Sequence, residues 1–220
     1  MEEAHGRAVF VTISELALEW QWNHNPDNDY WSLTARRSWL RLTTGSICGS
    51  LTNARNTLTQ RTFGPKCSGS VYLDVSNMKN GDYTGLAALQ EIYGFVGVKM
   101  NGNDKYIIMA EAAEQREKQY QTGIPANETE RVKLEQEMLY LRIDFDFKEA
   151  VDEAYFYYSL EGINWQRIGK KLKMSYRLSH FTGYRFALFN YATKTVGGYV
   201  DFDWFKCSNI CDRMGIMILE

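Results

Sequence analysis

The sequence has no surplus of positive charge. Its 25 Lys and Arg stand against 27 Asp and Glu over 220 residues, for a net charge of -2. A chain that grips nucleic acid by its phosphates needs a basic excess, so no nucleic-acid partner is expected. No apolar run approaches the roughly 20 residues that span a bilayer, and no membrane partner is expected either. The four cysteines, Cys48, Cys67, Cys207 and Cys211, are irregularly spaced, without a CxxC pair or a neighbouring histidine. That spacing disfavours a disulfide framework and a zinc site, leaving free thiols. The histidines are only His5, His24 and His180, and no GxSxG elbow or active-cysteine signature accompanies them. His180 reads as a structural residue. The opening MEEAHGRAVFVTISEL is acidic where a secretory leader is basic, so it is not expected to act as an export signal.

What is abundant is aromatic: six Trp, fourteen Tyr and eleven Phe, or 14% of the chain. With 45% hydrophobic and 24% charged residues, the composition suits one globular β domain, its aromatics mostly core. Short apolar runs separated by turn residues predict strands. Residues 15–22 read as the first, and 31–42 as a strand, a turn and a second short strand. Gly64-Pro65 divides 58–78 into two strands. Asn80-Gly81-Asp82 turns into a strand over 83–91. Asn101-Gly102-Asn103-Asp104 marks a hairpin. Residues 138–147 alternate Leu139, Leu141, Ile143, Phe145 and Phe147 against Tyr140, Arg142, Asp144 and Asp146, the clearest half-buried strand. Residues 155–168 form another hairpin around Glu161-Gly162.

The segment FTGYRFALFNYATKTVGGYVDFDWF, 181–205, reads as a hairpin of two aromatic strands around which the remainder is built. In its second arm Tyr199, Asp201, Asp203 and Phe205 share one face, and Val200, Phe202 and Trp204 the other. Residues 43–57 and 124–129 read as loops, the latter with a sequon at Asn127. Residues 111–121 are rich in helix formers without an apolar face and read as a solvated helix or an insertion. Even spacing of short strands argues for an antiparallel sandwich rather than βα units. The division expected is an unassigned segment 1–13, a β-sandwich over 14–207 and a peripheral tail 208–220.

The stretch FYYSLEGINWQRIGKKLKMSYRLSHFTGYRFALFNYATKTVGGYVDFDWF, with WQWNHNPDNDYWSL near the start, resembles the C-terminal concanavalin A-like sandwich of glycoside hydrolase family 43, of the β-xylosidase and α-L-arabinofuranosidase type. The resemblance runs from about Leu16 to Lys206. It implies an all-β, concanavalin A-like jelly roll of two antiparallel sheets. It also implies an accessory, non-catalytic role, because the family's catalytic acids lie on a five-bladed propeller that nothing here resembles. In the family that propeller is the sandwich's partner.

The residues themselves agree on catalysis. A glycosidase needs two carboxylates facing across a sugar, some 5–9.5 Å apart. The acidic pairs Asp144/Asp146 and Asp201/Asp203 leave one strand in parallel. Carbohydrate binding has better material, since rings stack on pyranose faces while amides and guanidinium groups satisfy hydroxyls. Trp22, Asn23, Asn25, Tyr30 and Trp31 supply both around the NHNP loop, and Gln90, Tyr93, Tyr184 and Asn190 are expected on a neighbouring strand face. Xylan or xylo-oligosaccharide is the expected ligand. In the alternative, Trp22 and Trp31 plug the sandwich, Asn23 and Asn25 cap a turn, and the domain is a docking module that packs on the propeller without sugar affinity. No cofactor is required. A structural calcium ion, which broadly similar sandwiches hold near the last strand, is placed at Asp203, with Asp201 as the other choice.

Overall fold

The computed structural model describes residues 11–12, 15–112, 125–176 and 182–210. Within them lie seventeen strands: β1 (Val11–Thr12), β2 (Glu15–Leu16), β3 (Gln21–Trp22), β4 (Trp31–Ser32), β5 (Leu40–Thr43), β6 (Leu58–Arg61), β7 (Lys66–Asp74), β8 (Asp82–Leu89), β9 (Gly94–Asn101), β10 (Asp104–Glu111), β11 (Asn127–Leu134), β12 (Met138–Asp146), β13 (Glu153–Ser159), β14 (Gln166–Arg167), β15 (Leu172–Lys173), β16 (Arg185–Ala192) and β17 (Tyr199–Asn209). β1 and β2 pair with each other. One large sheet runs β11-β10-β9-β8-β16-β6-β3, the other β14-β13-β12-β7-β17-β5-β4, with β15 also on β13. Every pairing within the two sheets is antiparallel, as the spacing of turns and strands predicts.

Period-two alternation explains how the sheets meet. Leu139, Leu141, Ile143 and Phe145 of β12 and Val71 and Leu73 of β7 are fully or almost fully buried, facing Leu86, Val96, Ile107, Phe186 and Leu188 of the other sheet in one core. The seven-stranded sheet is apolar on its outer side as well. Ala87, Phe95, Ile108, Ala187, Phe189 and Tyr191 form a second cluster there with Leu51 and Ala54. Strands buried on both faces read as continuous apolar runs, which is the pattern of β16.

That double burial corrects the expected hairpin at 181–205. β16 pairs with β8 and β6, whereas β17 pairs with β7 and β5 in the opposite sheet. The intervening residues 193–198 cross between sheets as an arch. The face assignment along β17 also changes. The register shifts between Phe202 and Trp204, an irregularity of the bulge type that resets the alternation. Val200, Phe202 and Phe205 are therefore all buried in the core, while Trp204 packs beside Tyr140, 6.1 Å between ring centroids.

Smaller corrections follow the same logic. Residues 15–22 are not one strand, since β2 and β3 flank a turn that leaves Leu18 98% exposed. Residues 127–129 belong to β11, whose sequence NETERVKL is almost wholly exposed. Its charges mark a protected sheet edge rather than a loop. Glu111 ends β10, and residues 113–121 of the expected helix, like His5, His180 and Cys211, lie outside the described residues. β17 continues through Asn209. No helix among the described residues is long and apolar enough to cross a membrane.

Candidate functional site

Two loops meet at one end of the sandwich. The first, 23–30, leaves β3 and closes in a 3-10 turn, Asn28–Tyr30, whose preceding Asp27 accepts a hydrogen bond from the Asp29 amide. The second, 44–57, joins β5 to β6 and carries the 3-10 turn Leu51–Asn53. Asn56 ties them together. Its buried amide accepts from the Asp27 N–H at 2.8 Å and donates to the Asp27 carbonyl at 2.9 Å. The Asn23 N–H donates to the Thr57 carbonyl at 2.9 Å, and Arg55 Nε to the Asn25 carbonyl at 3.1 Å. His24 Nε2 lies 2.8 Å from the Thr52 carbonyl, which requires that nitrogen to carry the proton. Irregular backbone is thus satisfied loop to loop, and the pair is held as one unit.

The unit shapes two hollows. An open groove of about 380 Å³ is bounded by His24, Asn25, Asn53 and Arg55. A narrower cleft of about 120 Å³ runs beside it between Tyr30, Thr43, Ser46, Asn56 and Asn190, and Arg55 borders both. The Tyr30 ring lies against Gly45, where an added Cβ would meet it at 2.6 Å. Asn190 is only 6% exposed. Its Nδ2 donates to the carbonyls of Leu42 at 2.9 Å and Gly198 at 3.4 Å, bracing one sheet on the other. Its Oδ1, also buried, accepts no hydrogen bond from any described residue. Burial pushes the Cys48 thiol and the Tyr191 phenol up, so both are neutral at pH 7. The cleft offers hydroxyls, amides, aromatic rings, one guanidinium and a single carboxylate, Asp27, without the second, facing carboxylate among its lining residues that glycosidic cleavage needs.

The structure sorts the sequence-derived residues. Asn25 is exposed, and Asn23 and Tyr30 are half-buried in the first loop. Trp22 and Trp31 pack on each other, 5.1 Å between centroids at 57°, and against the core, with Trp31 Nε1 donating to Asn28 Oδ1. These two therefore support the loop from beneath. Gln90, Tyr93 and Tyr184 do not line a surface. Tyr93 is fully buried in the outer cluster and receives the Leu51 N–H, while Tyr184 donates to the Ile92 carbonyl and Gln90 is 1% exposed. Gln90 and Tyr93 are buried in the turn between β8 and β9 and Tyr184 in the core between the sheets, so none of the three presents a surface to a ligand. Arg55, Ser46, Thr43 and Asn56 were missed because 43–57 read only as a loop. The density of Ser, Thr, Asn and Gly there was the available signal.

Carboxylates are committed elsewhere. Asp201 is held by Arg41 through two hydrogen bonds of 2.7 and 2.8 Å and approached by Arg36, which bonds Asp74 at 2.7 Å. Asp144 accepts from Ser68 and pairs with Arg142, and Asp146 pairs with Lys66. Arg41 thus neutralises Asp201, the second choice for a calcium ligand, and among the described residues no three or more His, Cys, Asp or Glu side chains cluster as metal ligands. The outer face of the eight-stranded sheet carries an aromatic row the sequence reading did not single out. Tyr72 stacks on Tyr140 at 4.3 Å, with Trp39 and Trp204 flanking. Arg36 lies over Trp39 and Gly162 over Tyr140, so those ring faces are taken.

Residues 9–208 match the family described as the beta-xylosidase C-terminal concanavalin A-like domain of GH43 proteins. The chain belongs to this family. A beta-xylosidase of Formosa agariphila is 30% identical over 213 residues, covering 87% of this chain and 33% of that protein. A putative beta-xylosidase of Xylanibacter ruminicola is 29% identical over 77% of this chain and 29% of its own. The chain thus spans about a third of the curated relatives it matches. Among solved structures, a bifunctional GH43-CE protein of Bacteroides eggerthii is 53% identical with a TM-score of 0.83, over 90% of this chain and 24% of that one. A GH43 glycoside hydrolase engineered to display both endo-xylanase and exo-arabinofuranosidase activity gives 33% identity and a TM-score of 0.86, over 96% and 42%. The expected all-β concanavalin A-like sandwich is the fold this GH43 domain adopts.

Proposed function

We propose that this GH43 C-terminal domain is the non-catalytic accessory part of a xylan-degrading hydrolase, and that it holds xylan or xylo-oligosaccharide at the loop end of the sandwich. The observation that carries this reading is the groove at His24, Asn25, Asn53 and Arg55. Its amides and guanidinium project from two loops that are rigidly tied, so little ordering entropy opposes binding. Titration of the purified chain with xylohexaose, followed by tryptophan fluorescence and calorimetry, tests it. Saturable binding weakened about tenfold by Arg55→Ala, the loss of about 1.4 kcal/mol expected of a charged hydrogen bond, is the predicted result. No binding of any xylan-derived sugar overturns it.

A second reading, docking on a catalytic propeller, is favoured by a different place. At the opposite end of β6, Leu18 is 98% and Phe63 38% exposed, beside a hollow of about 400 Å³ shared with Gln21, Gln60 and Arg61. Exposed apolar side chains of that size, grouped around a hollow, mark a surface that another body covers. Joining the chain to the GH43 region of the Bacteroides eggerthii relative should raise its unfolding temperature, and Leu18→Asp should cancel the gain. An unchanged unfolding temperature on joining removes this reading. The two readings use separate surfaces and are compatible.

A further inference from the structure

We infer that Arg61 and Arg185 form a carboxylate site, completed by an acidic side chain of the protein body that covers the hollow at Leu18 and Phe63. This rests on the docking reading and adds to it the chemistry of one contact across that interface.

Strand register is the first argument. Arg185 of β16 stands directly opposite Arg61 of β6, and like charges so placed on an antiparallel pair repel. Arg41 and Arg36 show the usual arrangement, bonded to Asp201 and Asp74 at 2.7 Å each. At the Arg61 and Arg185 pair no carboxylate answers. Arg185 Nη1 donates to neutral acceptors, Gln21 Oε1 at 2.6 Å and the Thr59 hydroxyl at 3.2 Å. Its Nε is buried and bonds no described residue. Burial and the charge of Arg61 pull the Arg185 guanidinium below its ordinary value, whereas hydrogen bonds to Asp201 raise that of Arg41. The exposed Arg61 guanidinium makes no hydrogen bond or ion pair with any described residue, Glu19 on the same rim included.

Position is the second argument. Arg61 lines the hollow beside exposed Leu18 and Phe63, and so does Gln21, the acceptor for Arg185. Apolar side chains left in water mark a surface that another body covers. A charge-assisted hydrogen bond at the rim fixes how that body sits. The curated relatives carry the greater part of their length outside the matched region, and that is where the acid would come from. A neutral acceptor would leave two positive charges facing each other. One carboxylate has lone pairs enough for both guanidinium groups and offsets their repulsion.

The test compares the chain alone with the chain joined to the GH43 region of the Bacteroides eggerthii relative, each native and with Arg61→Gln, by calorimetric melting. Arg61 is exposed, so the substitution leaves the core intact. In the chain alone, removing one of the two facing charges should raise the midpoint by about 1–3 °C at low ionic strength, and the rise should fade in about 0.5 M sodium chloride. The net charge is already -2, so relief of overall charge does not account for such a rise. In the joined protein the same substitution should remove at least half of the gain from joining, because the partner's acid loses its cation. A midpoint that stays in place or falls in the chain alone overturns the inference, since Arg61 then already has its partner. So does an undiminished gain in joined Arg61→Gln, and if Leu18→Asp still cancels that gain the docking reading stands. No gain on joining the native chain overturns both together.

Discussion

Asn56 is the residue whose removal separates the two loops. In Asn56→Ala both amide bonds to Asp27, at 2.8 and 2.9 Å, are lost. Each neutral hydrogen bond contributes about 1 kcal/mol net. Asp27 is half-buried, so water reaches its freed groups only in part, and the sum stays near 2 kcal/mol. For a domain of this length 1 kcal/mol moves the midpoint by about 2–4 °C, giving a fall of about 4–8 °C in differential scanning calorimetry. Asn56→Asp separates the two bonds. A carboxylate still accepts from the Asp27 N–H but faces its carbonyl without a donor, so Asn56→Asp should fall between native and Asn56→Ala or below both. A midpoint within 1 °C of native for Asn56→Ala would refute the claim that this pairing holds the loops, and with it the preorganised groove.

Other consequences are equally direct. Asp82 is fully buried, and burial pushes its carboxyl up to about 6 against the 3.8 of a free group. A raised folded-state pKa means that the native state holds the proton longer, so stability falls as pH rises from about 4 to about 6, by roughly 3 kcal/mol in urea titrations. Asp82→Asn should remove that slope, and an unchanged slope assigns it to another group. Gly97 faces Gly85 across β8 and β9, and a Cβ there would sit 2.0 Å from the Thr84 carbonyl oxygen. Gly97→Ala should cost about 3 kcal/mol in denaturant melts, and a loss below 1 kcal/mol would contradict the close strand approach. Asp201 is already bonded to Arg41, so an ion held there is not expected and chelation by EDTA should leave the melting midpoint within about 1 °C; a larger fall would assign a calcium ion to Asp203.

The parts of the fold legible in the sequence were those where one chemical pattern has one structural solution. β12 alternates cleanly because one of its faces meets the core, and the Gly102-Asn103 turn between β9 and β10 is a local matter of backbone freedom. What was not legible depends on distant partners. The aromatic strands β16 and β17 look like arms of a hairpin, and only the other sheet's pairing shows that they part. The register shift at Asp203 has no residue signature, so the position of Trp204 could not be read. At the site, the NHNP loop was visible from its amides and rings, but its counterpart 44–57 sits some 20 residues later and is joined by side-chain bonds to backbone. Tyr93 and Tyr184 have the composition of sugar-stacking residues, but Tyr93 is buried in the cluster outside the seven-stranded sheet and Tyr184 in the core between the two sheets.

The measurement closest to the central claim is a proton–nitrogen correlation spectrum of the labelled chain titrated with xylo-oligosaccharide. If the loop end of the sandwich is the carbohydrate site, the amides of His24, Asn25, Asn53 and Arg55 shift together and saturate with one affinity, while those around Leu18 and Phe63 stay in place. Shifts confined to the Leu18 and Phe63 end, or to the Tyr72 and Tyr140 face, would contradict it.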